Sequence, residues 1–372
     1  MQLTISVDGP FEPLPAGGAH YVPVVQNKKG ELDALRRAPG LGDLITPMIS
    51  VVGPATPVGK LSAAQTRSWV KKIEEAVGRA ATYVDISRLD ARNPIAVKRG
   101  SVPVYERLFE LAAERGMKAI PVARVGSGFE AHNDMAAGAA LRDHRGIALR
   151  VPIQGIVLRP GSSFPSLVEE TLSRLHIDPA QIDIFVDLEF IDEDLEIDAE
   201  DICEIVEGIE QIAEWRNTVL LGTSMPASLS CVPQGSVGVL PRREWDLWRD
   251  VRGEMLGRPP VYGDYVVQHP KPPSSGGPGM RANIRYTAEE MTVVARGLSV
   301  MEEGKAQYTQ LCLDLVDHDD FSGPQFSWGD QTIADCALGR IEPGDQTMWR
   351  GAGTSHHLAY VSTQIADLPA AS

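Results

Sequence analysis

Two carboxylates in one short run are the side chains best suited to do chemistry. Residues 183–190 read DIFVDLEF. Side chains alternate across a strand, so Ile184, Val186, Leu188 and Phe190 share one face, and Asp187 and Glu189 share the other. The apolar face must meet covering helices, which turns the two acids inward. Two residues apart at roughly 3.3 Å each, they stand about 6.6 Å from one another along the strand. Such a pair can ligate a divalent cation or divide general acid and base duties. The same alternation turns Asp85, Arg150 and Asp264 inward on their own runs. Arg124 ends another run, and Lys28 follows the first one. Arginines there can hold a phosphate or carboxylate bidentately. The competing account is purely structural: a set of salt bridges that closes one end of the fold.

A second candidate is WRGAGTSHH, residues 349–357. Gly351 and Gly353 suggest a loop in which Trp349 and Arg350 approach something closely. Thr354 or Ser355 can then cap a final helix. Adjacent helical residues diverge by about 100°, so His356 and His357 do not readily share one metal. One can serve a site while the other packs. A glycine-rich turn with no chemistry accounts for the segment equally well. SWGD, residues 327–330, reads as a helix cap. His132 and His144 fit an exposed helix with no evident partner. The sequence has no HExxH, GxSxG, CxxC or kinase signature.

Eight β-rich runs must position these residues. They begin near Tyr21, Ile45, Ala81, Lys118, Ile147, Asp183, Thr218 and Val261. Their mean spacing is about 34 residues, room for one helix and two loops, as parallel neighbours require. Amphipathic helices fill the gaps: Ile202, Ile205, Val206, Ile209 and Ile212 make one buried stripe. Eight such units fit a (β/α)8 TIM-like barrel, where active sites sit at the C-terminal ends of the strands. An open doubly wound sheet is the alternative. It loses support because no GxGxxG follows the first strand and no P-loop is present. Residues 1–17 read as an N-terminal arm, 18–268 as the barrel, 269–280 (rich in Pro, Gly and Ser) as a linker, and 281–372 as a C-terminal α+β extension packed on the barrel.

Composition narrows the function. Among 372 residues, 35 Lys and Arg stand against 50 Asp and Glu, a net charge of −15. That balance argues against coating nucleic acid or an anionic membrane. The scattered Cys203, Cys231, Cys312 and Cys336 form no metal or disulfide spacing, and they read as reduced thiols in a cytoplasmic protein. No signal peptide or spanning segment is expected.

The runs YVPVVQNKKGELDALRRAPG and ITPMISVV, with ANIRYT, VARG, SWGDQTIADCALG and WRGAGTSHHLAYV near the other end, resemble the "beta family" proteins of phages, satellites and bacterial mobile elements. The likeness extends from about Tyr21 to Val361. Its matching positions are Lys28, Gly30, Glu31, Arg285, Arg296, Gly329, Asp330, Trp349, Arg350, His356 and His357. Gln26 stands where a basic residue is expected. The resemblance implies a role in phage–host conflict, as antiphage defence or beside a toxin, and supplies no reaction.

The combined expectation is a barrel mouth that binds or processes a small phosphorylated or nucleotide-like ligand. Asp187, Glu189, Asp85, His356 and His357 are its candidate catalytic residues. Lys28, Arg124, Arg150, Asp264, Trp349 and Arg350 are its candidate ligand contacts. A divalent metal is compatible with the acids; its identity stays open. The alternative is a non-catalytic antitoxin-like protein bound to a toxin or defence-module partner. A metal-dependent nuclease ranks below both, given the negative charge.

Overall fold

The eight β-rich runs become the eight parallel strands of one closed barrel. The computed structural model describes residues 20–53, 61–97, 100–154, 163–195, 197–255, 257–271 and 281–369. The N-terminal arm and most of the Pro/Gly/Ser stretch lie outside these residues.

Strands and helices alternate as β1 (Tyr21–Gln26), α1 (Lys29–Leu35), β2 (Met48–Ser50), α2 (Ala63–Val77) and β3 (Thr82–Asp85). A hairpin, β4 (Pro94–Val97) and β5 (Gly100–Pro103), precedes α3 (Val104–Glu114). Then follow β6 (Ala119–Arg124), α4 (Glu130–Asp143), β7 (Ile147–Pro152), α5 (Phe164–Leu175), β8 (Ile182–Phe190), α6 (Ala199–Glu210) and β9 (Asn217–Thr223). After β10 (Ser236–Pro241) and α7 (Arg243–Glu254), β11 (Val261–Asp264) closes the ring against β1. The order around the ring is β1-β11-β9-β8-β7-β6-β3-β2.

Local chemistry explains the helix starts. Ser62 and Ser163 each accept from the backbone three residues on, with reciprocal bonds, and Asp198 does the same for α6. Inside the ring, Val22, Val24, Met48, Tyr83, Ile120, Val122, Phe185, Val219 and Leu221 form a filled core. Each such side chain contributes about 1.5–3 kcal/mol by leaving water. Asp183 plugs the bottom: it accepts from Arg216 Nε at 2.8 Å, Asn217 Nδ2 at 2.7 Å and Tyr83 OH at 2.7 Å.

The extension has a core of its own, built from Ile284, Tyr286, Tyr308, Leu311, Ile333 and Trp349 among others. Its sheet pairs β12 (Arg281–Thr287) with β13 (Met291–Ser299). The third strand is β10, which the chain supplies from between two barrel strands. Helices α8 (Val300–Glu303), α9 (Gln307–Val316), α10 (Trp328–Ala337) and α11 (Gln346–Ala366) complete it. The glycine-rich segment 349–357 is therefore no loop. It lies inside α11, which Asp345 caps. Its glycines are there for contact: a Cβ on Gly353 would sit 2.5 Å from the carbonyl oxygen of Arg285, and one on Gly351 would sit 2.9 Å from that of Gly30. Ser327 caps α10, as its sequence suggests. Among the described residues no helix is long and apolar enough to cross a membrane.

Candidate functional site at the barrel mouth

Arg150 organises the top layer of the barrel. It leaves β7 on the inward face, buried, and donates from Nη1 to Asp85 Oδ2 at 2.7 Å and from Nε to Asp187 Oδ2 at 2.6 Å. Its Nη2 donates to the Tyr265 hydroxyl, which itself donates to Asp187 Oδ2 at 2.8 Å. Burial opposes the charge on Asp85, yet Arg150 and the Ser87 bonds hold it below the usual carboxylate range. Burial likewise opposes the charge on Arg150, and Asp187, Tyr265 and Asp85 outweigh it.

Asp187 and Glu189 do not act as a pair. The β8–β9 register slips between Asp187 and Phe190, and Glu189 takes a left-handed φ of 54°. Its N–H donates to Asp187 Oδ1 at 2.9 Å, while its carboxylate swings to Arg124 Nη2 at 3.4 Å. Arg150 thus stands between Asp85 and Asp187 where the sequence suggested a metal. Among the described residues no group of three or more His, Cys, Asp or Glu is placed to hold a metal ion.

The rim carries the positive charge. Lys28 follows β1, Arg88 follows β3, Arg285 lies on β12 and Arg350 on α11. All four interact with or around one buried carboxylate, Glu31. None of the four forms a salt bridge among the described residues; Arg88 Nη2 donates to the Pro270 carbonyl and Arg285 Nη1 to the Val267 carbonyl. Burial lowers Lys28, and Arg350 and Arg88 push the same way. Burial and then Arg150 lower Arg88. Burial and then Arg350 push Arg285 down to about 10. Burial raises Glu31, against the Gln26 N–H that its Oε2 accepts at 2.6 Å and against Arg350 and Lys28. Crowded cations of this kind favour an anion. Beside them lies a cleft of about 30 Å³ lined by Val267, Gln268, Asn283, Arg285, Trp349 and Arg350. Trp349 itself is mostly extension core, stacked on Tyr308.

Three sequence-derived candidates fall elsewhere. On β11 it is Val261 that belongs to the inner core, so Asp264 points outward. The strand's outer face meets α11, where a polar residue finds partners. Asp264 accepts from Tyr21 OH at 2.5 Å and pairs with His357 Nε2 at 2.8 Å. His357 Nδ1 meets Thr287 Oγ1 at 2.7 Å. His356 meets Asp330 Oδ2 at 3.0 Å and the Thr287 carbonyl at 2.7 Å, and stacks on Tyr286. Both rings are fully buried with both nitrogens engaged. His357 joins the extension to the barrel wall, His356 packs within the extension, and both lie about 10 Å along α11 from Arg350. His132 is also buried, bonded to the Val122 carbonyl at 2.8 Å rather than exposed.

Sequence reasoning missed Arg88, Tyr265 and His269, and marked Glu31 and Arg285 only as positions of the family resemblance. The His269 ring lies 4.9 Å from that of Phe190 at the mouth, and its Nδ1 accepts from Lys271 N at 3.0 Å. Burial lowers its pKa. Glu31 and Arg88 sit beyond strand ends, where alternation gives no signal.

A closed parallel eight-stranded barrel with a charged layer at its C-terminal strand ends defines a (β/α)8 barrel protein, here with an α+β extension whose sheet is completed by a strand inserted between two barrel strands. The chain belongs to the Beta protein family, whose profile matches residues 21–363. No curated protein matches it. Among solved structures it is similar to the HMG-CoA lyase from Brucella melitensis, at 15% identity over 67% of this chain and 81% of that one, TM-score 0.37. It is also similar to the catalytic module of a family 98 glycoside hydrolase from Streptococcus pneumoniae, at 11% identity over 69% and 48%, TM-score 0.40. An old yellow enzyme homologue from Zymomonas mobilis matches at 12% identity over 68% and 81%, TM-score 0.29. The fold assignment rests on this chain's own strand order.

Proposed function

We propose that this barrel binds a small phosphorylated, nucleotide-like ligand at its C-terminal mouth. The observation that carries the reading is the rim itself: Lys28, Arg88, Arg285 and Arg350 crowd around Glu31 without a salt bridge among the described residues, in a chain of net charge −15. A phosphate would relieve their mutual repulsion and accept their donors. Arg124, at the end of β6 beside the β3 end that carries Arg88 and paired to Glu189, offers a further donor. Asp85 and Asp187 are committed to Arg150, which supports binding or sensing over hydrolysis. His269 is a further titratable group at the mouth outside those ion pairs.

The role we assign to this binding is in phage–host conflict, which the family resemblance suggests. A second reading, a non-catalytic antitoxin-like protein, draws on the same committed carboxylates. In that case the barrel is a scaffold and a partner protein does the work. The nuclease reading loses its motivation, since His356 and His357 are buried away from the mouth.

Native mass spectrometry of the full chain, purified with its genomic neighbours co-expressed, tests these readings. A small bound mass that is lost in the Lys28→Met/Arg350→Gln double variant supports ligand binding. A stoichiometric protein partner with an unliganded barrel, unchanged in that variant, overturns it in favour of the scaffold.

A further inference from the structure

One corner of the mouth is rich in oxygen rather than positive charge. Gln26 ends β1 and Ser50 ends β2, and the two are register partners on adjacent strands. Ser50 is in turn the register partner of Asp85. Gln26 follows Val22 and Val24 on the inward face, and Ser50 follows Met48. Adjacent strands lie about 4.8 Å apart, so the two side chains stand together above the filled core.

These residues are 7% and 1% exposed, and Glu31 beside them is 1% exposed. Buried polar atoms are nearly always hydrogen-bonded. Yet Gln26 Oε1, Ser50 Oγ and Glu31 Oε1 meet no hydrogen-bond partner among the described residues. Three oxygens gather where Glu31 already joins the corner to Lys28, Arg88, Arg285 and Arg350. Phosphate oxygens suit the cations and are repelled by such a corner. What suits it is a group that donates hydrogen bonds.

We infer that Gln26, Ser50 and Glu31 form a hydroxyl-binding subsite, so that the ligand is a phosphorylated sugar, free or as the ribose of a nucleotide, rather than phosphate alone. The inference rests on the proposed binding at the mouth and names its substrate class. The cations hold the phosphate. The oxygen corner accepts from hydroxyls one or two carbons away, at the inner wall of the barrel. The same corner explains why a glutamine serves at the end of β1 where a lysine or arginine would add one more cation.

Calorimetric titration of the intact chain with inorganic phosphate, ribose 5-phosphate and AMP tests it. Hydrogen bonds to Gln26, Ser50 and the Glu31 carboxylate give an expected preference of about tenfold or more for ribose 5-phosphate or AMP over phosphate. AMP ahead of ribose 5-phosphate assigns the sugar to a nucleotide, and the reverse order to a free sugar phosphate; both support the subsite. Ser50→Ala and Gln26→Met should each reduce the preference about threefold to tenfold and leave phosphate binding intact. Ser50→Ala is the milder change and keeps the test open if Gln26→Met fails to fold. Equal binding of all three probes, or a preference unmoved by both variants, overturns the subsite and leaves anion binding standing. Failure of all three to bind overturns both.

Discussion

Gly30 and Gly351 meet backbone to backbone. A Cβ on Gly351 would lie 2.9 Å from the carbonyl oxygen of Gly30, and one on Gly30 would overlap the carbonyl oxygen of Thr347. This contact seats α11 on α1, and it brings Arg350 beside Lys28 and Glu31. Two parts of the site that are about 320 residues apart in sequence depend on it.

Gly30→Ala should therefore destabilise the protein by about 1–3 kcal/mol, the usual range for overpacking. It should also weaken anion binding, since the two helices must part. Gly253→Ala is the contrasting change: that glycine sits exposed in α7 with open space around it. There alanine should stabilise by about 0.5–1 kcal/mol. Denaturant midpoints of the two variants check both signs.

Arg150 neutralises two buried carboxylates at once. Arg150→Met leaves Asp85 and Asp187 without a cation and should cost about 3–5 kcal/mol. Adding Asp85→Leu and Asp187→Leu should recover much of that loss, because removing a whole buried ion cluster is tolerated better than removing half of it. Equal stability of the single and triple variants in urea would contradict the arrangement.

His20 gives the fold a measurable acid sensitivity. Its ring is buried against Thr46 Oγ1 at 2.9 Å, and burial pushes its pKa down to about 4. The unfolded chain takes up that proton first, near 6.5. Stability is then present above about pH 6.5 and lost as pH falls toward 4, by on the order of 3 kcal/mol. His132 and His357, both lowered by burial, act in the same direction. Raised carboxylates such as Glu31 and Glu244 act oppositely, so the comparison is with His20→Gln. The difference between wild type and this variant should shrink as pH falls from 7 to 4. A constant difference would show that His20 does not titrate.

His357 is placed as a clamp rather than a catalyst. His357→Leu leaves Asp264 buried without its imidazole partner and should destabilise the protein by about 2–4 kcal/mol. Ligand affinity, measured well below the melting temperature, should stay within about threefold of wild type. A tenfold or greater loss of affinity in a folded variant would return this histidine to the site.

The eight strands were legible because their apolar periodicity and spacing are local properties of the chain. Inward residues on central strands were legible for the same reason: Asp85, Arg150 and Asp187 follow from alternation, and the structure joins them. Asp264 was not, because the outer face of β11 meets a polar extension helix, and that inverts the usual rule for its strand. Glu189 escaped its expected orientation through a left-handed backbone that no pattern announces. The glycines near Arg350 signalled close approach correctly. Their place in a helix was hidden because small residues facing another backbone look like a loop. The rim could not be read at all as a unit. Its members come from the ends of β1 and β3, from β12 and from α11, and only tertiary packing brings them around Glu31.

The most direct test of the account is calorimetric titration of AMP into the intact wild-type chain and the Arg350→Gln variant at one low ionic strength. Removal of one charge-assisted donor should weaken binding by about tenfold or more, and raised salt should narrow that gap. AMP that fails to bind wild type, or binds both proteins alike, would contradict an anion site at the rim.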